Sequence, residues 1–200
     1  MSDTESKDKN TIDVPPLHRG DLLISSPMLG DPNFSRTVIL ILDRDQDHGY
    51  IGLTLNRRMQ LHLSDIFGDE YEENNDMTIF SGGPVDLQRL FWVHTLGEKV
   101  PGAIEVLPGI FVGGDLEAVH HYLHSPQHSS DAIRFYLGYS GWGRGQLERE
   151  IQGGAWQVQR LTDPADVLSA DQDALWVKEV RDLGPEFRHW LMLPPHPSLN

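Results

Sequence analysis

The segment Gly138-Tyr-Ser-Gly-Trp-Gly-Arg-Gly-Gln-Leu-Glu-Arg-Glu-Ile151 constrains this chain most, because it joins an apolar, strand-like run to a helix-like one through closely spaced glycines. The pattern predicts that the strand Ile133–Tyr139 ends in a tight corner and that a helix over Arg144–Gln152 follows, stopped by Gly153-Gly154. Such a corner points main-chain N–H groups outward, and with the positive end of a helix dipole it suits an anion, a carboxylate or a substrate oxygen. It serves equally well as a plain structural turn.

The remaining pattern is one of short strands. Leu22–Ile24, the β-branched run Thr37–Leu42, Tyr50–Leu55, Met77–Phe80, Leu90–His94, Val100–Ile104, Ile110–Val112 and Ala155–Val158 read as strands, with Thr37–Leu42 buried on both faces and paired to Tyr50–Leu55 as a hairpin. Short helices are predicted over Leu61–Phe67 and over Leu116–His124, the latter capped by Asp115. Apolar residues at helical spacing recur over Thr162–Ala170 and Leu175–Trp190, broken at Gly184-Pro185. Strands outnumber long helices without a repeating strand–helix–strand unit, so the fold class is α+β with a mixed or antiparallel sheet. The expected organisation is a polar tail over residues 1–16, one domain over 17–160, and a helical extension over 161–200 packed on that domain.

Composition excludes several functions. A formal charge of −14 opposes sequence-independent contact with nucleic acid or anionic lipid, and Arg57-Arg58, the only adjacent basic pair, reads as a solvated loop or strand end. Cysteine is absent, which removes disulfides, thiolate nucleophiles and zinc–thiolate sites. No run approaches the roughly 18 apolar residues of a membrane span, and the N-terminus lacks a signal-peptide core, so the expected location is cytoplasmic.

Familiar catalytic and cofactor motifs are incomplete. Gly138-Tyr-Ser140 matches half of a Gly-x-Ser-x-Gly nucleophile turn, but Trp142 stands where a glycine is needed, and turn or helix capping is the alternative role of Ser140. The glycines at 138, 141, 143 and 145 fit neither phosphate-loop template. Glu117, His121 and His124 share a helix face with metal-compatible spacing, and Asp43, Asp45 and Asp47 imitate a calcium loop without its glycine or terminal glutamate. Neither set is taken as a metal site, and no cofactor or catalytic residue is assigned.

The expected ligand or partner cleft therefore draws on polar and aromatic residues at turns. It comprises Ser81, Gly82 and Gly83 of one glycine turn; Tyr139, Ser140, Gly141, Trp142 and Arg144 of the other; and Arg36, Asn56 and Arg89 nearby.

Four blocks in order carry a resemblance: Leu23–Val38 with its Pro-Met-Leu-Gly-Asp-Pro-Asn core, Gly52-Leu-Thr-Leu-Asn56, Phe80-Ser-Gly-Gly-Pro-Val85 with Arg89–His94, and Gly138–Ile151 with Trp156. Together they resemble the YqgE/AlgH family. The resemblance implies a bent, partly barrel-like sheet flanked by helices in a cytoplasmic bacterial protein, with no established reaction and an association with transcriptional control that comes from a name. That family often has Lys-Pro after its Asn, where this chain has Arg57-Arg58, and commonly has Asn where this chain has Gly154.

The leading expectation is a binding or regulatory module whose glycine turns line a shared cleft for a small anionic ligand or a protein partner. A hydrolase or transferase using Ser140 or N–H groups at 141–145, with His94 as base, is the alternative. Direct DNA binding ranks third, against the charge.

Overall fold

The computed structural model describes residues 16–45, 49–69, 71, 77–161, 163–169 and 172–194. The strands are β1 (Asp21–Ser25), β2 (Val38–Asp45), β3 (Gly49–Thr54), β4 (Arg58–His62), β5 (Thr78–Ser81), β6 (Val85–His94), β7 (Ile104–Leu107), β8 (Ile110–Val112), β9 (Ile133–Trp142) and β10 (Trp156–Arg160). The helices are α1 (Leu63–Phe67), α2 (Leu116–Leu123), α3 (Gln146–Gln152) and α4 (Gln172–Leu183), with 3-10 turns at Pro32–Phe34, Gly97–Lys99, Pro164–Leu168 and Pro185–Met192. The expected tail lies outside the described residues apart from Pro16.

The sheet runs β10-β1-β2-β3-β9-β6-β8-β7, with β5 paired to both β9 and β4. Every pairing is antiparallel except β5 with β9. The architecture is α+β, as expected, with a curled half-barrel sheet. The curl originates in β9, whose Ser140–Trp142 end pairs with β3 while its Ile133–Leu137 end pairs with β6 and, at Tyr136 and Leu137, with β5.

At the change of partner Gly138 takes φ 70°, and a Cβ there would stand 2.6 Å from the carbonyl oxygen of Gly83. Only glycine satisfies both the left-handed backbone and that approach. The chain consequently does not turn at Gly138, as the sequence pattern suggested. It continues as strand to Trp142, and α3 begins at Gln146 after a short turn in which Gly145 (φ 70°) is the N-cap residue.

Other elements differ from expectation as well, and two show the cause. Leu61 and His62 belong to β4 because the segment pairs with β5, His62 opposite Thr78, leaving a helix only from Leu63. Val100–Ala103 is a turn after a 3-10 segment, and the strand starts at Ile104, where pairing with Val112 becomes available. Tertiary pairing overrides local propensity in both places.

Burial follows the strand alternation. Leu22, Leu40 and Leu53 pack beneath the C-terminal helices against Trp176, Val180 and Trp190, while Leu23, Ile39 and Ile41 face the opposite layer with Trp142, Leu147 and Trp156. Sheet strands covered on both faces read as continuous apolar runs, which is why 37–42 carries no polar alternation. A third cluster joins α1 and α2 to the far end of β9 through Leu63, Val119, Ile133 and Phe135. The helices after residue 161 thus complete the main core rather than decorate it.

Candidate functional site

The two glycine turns meet back to back. Gly82 donates its N–H to Leu137 O at 2.8 Å and accepts Thr54 N–H at 2.8 Å, bridging β9 to β3 where β5 leaves the sheet. A Cβ on Gly83 would lie 2.3 Å from the carbonyl carbon of Tyr139. Ser140 is fully buried in this junction, its hydroxyl donating to Gly82 O at 3.2 Å with Thr54 Oγ1 at 3.4 Å.

Ser140 therefore neither caps a helix nor faces solvent. His94 pairs with Ile133 at the other end of the β6–β9 ladder, seven residues and roughly 20 Å along the strand from Ser140. The structure does not bring this nucleophile and base together. His94 is buried and neutral: Leu96 N–H donates to Nδ1 at 3.2 Å, Nε2 donates to Gly113 O at 3.1 Å, and burial lowers its pKa.

Asn56 and Arg36 organise the loop before β2. Asn56 Oδ1 accepts Val38 N–H at 3.0 Å and its Nδ2 donates to Arg36 O at 2.9 Å. Arg36 adopts φ 51°, lays its guanidinium 4.9 Å from the Trp176 ring centroid and donates to Leu193 O, so it ties this loop to the C-terminal helices. Arg89 is exposed over Phe91 at 5.0 Å, and Arg144 is exposed in the turn before α3. Trp142 is buried, and Glu150 accepts from its indole at 2.9 Å and from that of Trp156 at 2.8 Å.

Each glycine turn has its own cleft, and the two clefts have no lining residue in common. A groove of about 500 Å³ is bordered by Tyr50, Ile51, Val85, Tyr139, Gly141 and Trp142. A more polar cleft of about 370 Å³ is lined by Asn33, Thr54, Arg57, Arg58, Ser81 and Gly83. Both fall in the size range of small-molecule sites.

Arg57 was legible only as a basic residue in a polar stretch, yet it is half-buried in the wall of the second cleft. Its Nη2 donates to Ser35 O, its main chain accepts Ser81 N–H at 2.8 Å, and burial lowers its pKa. No carboxylate of the described residues lines this cleft or pairs with Arg57. A desolvated cation without a counter-ion is costly, and a bound anion would offset that cost.

Metal chemistry finds no comparable arrangement. His121 Nε2 is 3.5 Å from Glu117 Oε1, but His124 Nδ1 engages His120 O, and no three His, Asp or Glu side chains among the described residues converge. Asp43 accepts from Arg19 at 2.9 Å, while Asp47 lies outside the described residues. Among the described residues no helix is long and apolar enough to cross a membrane.

A curled, mostly antiparallel sheet switching partners along one long strand, with helices on its faces and glycine turns locked together at the switch, defines a distinct class of α+β domain. Solved structures share it. Protein DIP2367 from Corynebacterium diphtheriae superposes with a TM-score of 0.72 at 20% identity, covering 88% of this chain and 92% of that one. The solution structure of AlgH from Pseudomonas aeruginosa gives 0.69 at 24% identity, covering 93% and 100%. The chain belongs to the DUF179, AlgH-like family, whose profile matches residues 22–188. UPF0301 proteins from Parabacteroides distasonis and Chlorobaculum tepidum are each 35% identical, over 94% and 92% of this chain and 93% and 96% of their own lengths. These relatives are uncharacterised proteins whose names assign no reaction.

Proposed function

We propose that this protein is a binding or regulatory module rather than a catalyst, and that the cleft beside the Ser81–Gly83 turn takes a small anionic ligand. The observation that carries this reading is Arg57, a half-buried guanidinium with no carboxylate partner among the described residues, in the wall of a 370 Å³ cleft. Arg58, Thr54, Ser81 and Asn33 line the same space and supply charge, hydroxyl and amide groups of the kind that recognise an oxyanion. A site of this sign in a chain of net charge −14 is a local exception rather than a reflection of composition.

Catalysis is not part of the reading, because Ser140 is sealed in a backbone junction and His94 lies far along the ladder. Direct contact with DNA is likewise left out, and any regulatory action is assigned to ligand or protein contact in the cytoplasm. The aromatic groove at Tyr139, Gly141 and Trp142 is the proposed surface for a protein partner.

Thermal-shift titration with orthophosphate, sulfate and small carboxylates, with Arg57→Ala alongside the parent, tests the anion site. An anion that raises Tm in the parent and not in the variant supports it. Equal shifts in both proteins, or none in either, would overturn it.

A further inference from the structure

Arg58 stands in the wall of two clefts. One is the Arg57 cleft, and the other, of about 160 Å³, is lined by Thr78, Phe80, Ser130, Asp131 and Arg134 as well as Arg58. The sheet explains the arrangement. Arg58 on β4 is directly opposite Phe80 on β5, Phe80 is opposite Tyr136 on β9, and Arg134 is two residues from Tyr136 and so on the same face. Arg58 and Arg134 therefore stand two strands apart, roughly 10 Å across the sheet.

Both guanidiniums lie against one ring, with Arg58 Cζ 5.6 Å and Arg134 Cζ 4.6 Å from the Phe80 centroid. Arg134 is held further by donating Nη2 to Leu168 O at 3.3 Å and Ser169 O at 3.0 Å, while its Nη1 is buried with no hydrogen-bond partner among the described residues. Asp131, which is exposed, is the one acid lining this cleft among the described residues. The 160 Å³ cleft is too small to hold a metabolite by itself, since such sites usually exceed about 300 Å³. It has room for one charged group of a molecule anchored next door.

We propose that the ligand of the Arg57 cleft carries two linked oxyanions, one at Arg57 and the second across Arg58 in the cleft of Arg134. The proposal rests on the anion-binding reading given above and extends it to the ligand's chemical class. Planar guanidiniums in sequence match linked phosphate or carboxylate groups better than a single point charge does. The overall charge of the protein works in the opposite direction, because a chain at −14 repels a dianionic pair more strongly than a single anion. A preference for the linked pair must therefore arise locally.

Isothermal titration at constant ionic strength and without divalent cations, using orthophosphate against pyrophosphate and acetate against malonate, distinguishes the cases. The expected result is that at least one linked pair binds the parent tenfold or more tightly than its single-anion counterpart. In Arg134→Gln, checked for an unchanged melting profile, that preference falls to about threefold or less while single-anion affinity stays within twofold. In Arg58→Gln, checked in the same way, the preference falls likewise and single-anion affinity falls with it, because Arg58 lines both clefts. Equal affinity for linked and single anions, with binding still abolished by Arg57→Ala, overturns the two-group ligand and leaves the anion cleft standing. Preference retained in both variants overturns it as well, and absence of binding by any of the four anions overturns the cleft together with it.

Discussion

Arg57 donates an Nη2 hydrogen to the carbonyl oxygen of Ser35, so among the described residues the charge of the polar cleft is aimed by a main-chain acceptor and not by a carboxylate. The acceptor belongs to the loop that Asn56 straps through Arg36 O and Val38 N–H, and that Arg36 fastens to Trp176 and Leu193. Cleft wall, loop and C-terminal helices thus form one connected set of contacts. The orientation of Arg57 depends on residues more than a hundred positions away in the chain.

Replacing Arg57 with Ala should weaken anion binding at least tenfold, whereas Arg57→Lys should restore only part of it. An ammonium keeps the charge but cannot hold Ser35 O and present a second donor pair in the same plane. Titration of the three proteins with one anion checks the order.

Ser140→Ala should lower stability by about 1 kcal/mol, the usual net worth of one buried hydrogen bond, because Gly82 O keeps its Thr54 N–H donor but loses the Ser140 hydroxyl. Anion binding should be unchanged. A variant that lost binding while unfolding at the parent's urea concentration would return Ser140 to a direct role.

Gly83→Ala should cost more, about 3 kcal/mol or above, since it combines backbone strain with overpacking against main chain. Gly83 adopts φ 150°, and the new methyl would lie 2.4 Å from Ser140 N, an atom that cannot rotate away. Urea unfolding at equilibrium measures the difference.

His94 should make the protein less stable in mild acid. Burial lowers its folded pKa below the usual 6.5, and the proton it would gain belongs on Nδ1, which already accepts Leu96 N–H. Its contribution is full above about pH 6.5 and is lost as pH falls toward the lower folded value, because the unfolded chain binds the proton first. His94→Gln should be less stable at pH 7 but should lose less on going to pH 5, as followed by Tm across that interval.

Glu179 should act with the opposite sign. It is 1% exposed, burial raises its pKa above the usual 4.5, and its Oε1 has no hydrogen-bond partner among the described residues although Lys178 Nζ lies 3.6 Å away. The stability of its neutral form is present below about pH 4.5 and is lost as pH rises through the folded value. Glu179→Gln should therefore stabilise the protein at pH 7.5 by on the order of 1 kcal/mol, with the gain disappearing near pH 4.5. Paired denaturation curves at the two pH values would show it.

The sequence by itself determined the fold class, the position of most strands, the Asp115 cap, the break at Gly184-Pro185 and the family. Those features are written in local periodicity, in turn residues and in ordered motifs, all of which act over a few positions. It also marked the two glycine segments as the place where the backbone does something unusual. It misread that event as the end of a strand, because positive φ at Gly138 looks the same in a turn and in a bent strand until the neighbouring chain is known. Only the tertiary structure decided that Ser81–Gly83 packs against Gly138–Ser140, that Ser140 is buried between them, and that each turn opens on its own cleft. It alone showed Arg57 half-buried and Arg58 and Arg134 against one ring. Burial of a charge and convergence of side chains from distant strands are properties of pairing across the sheet, and no local pattern in the chain encodes them.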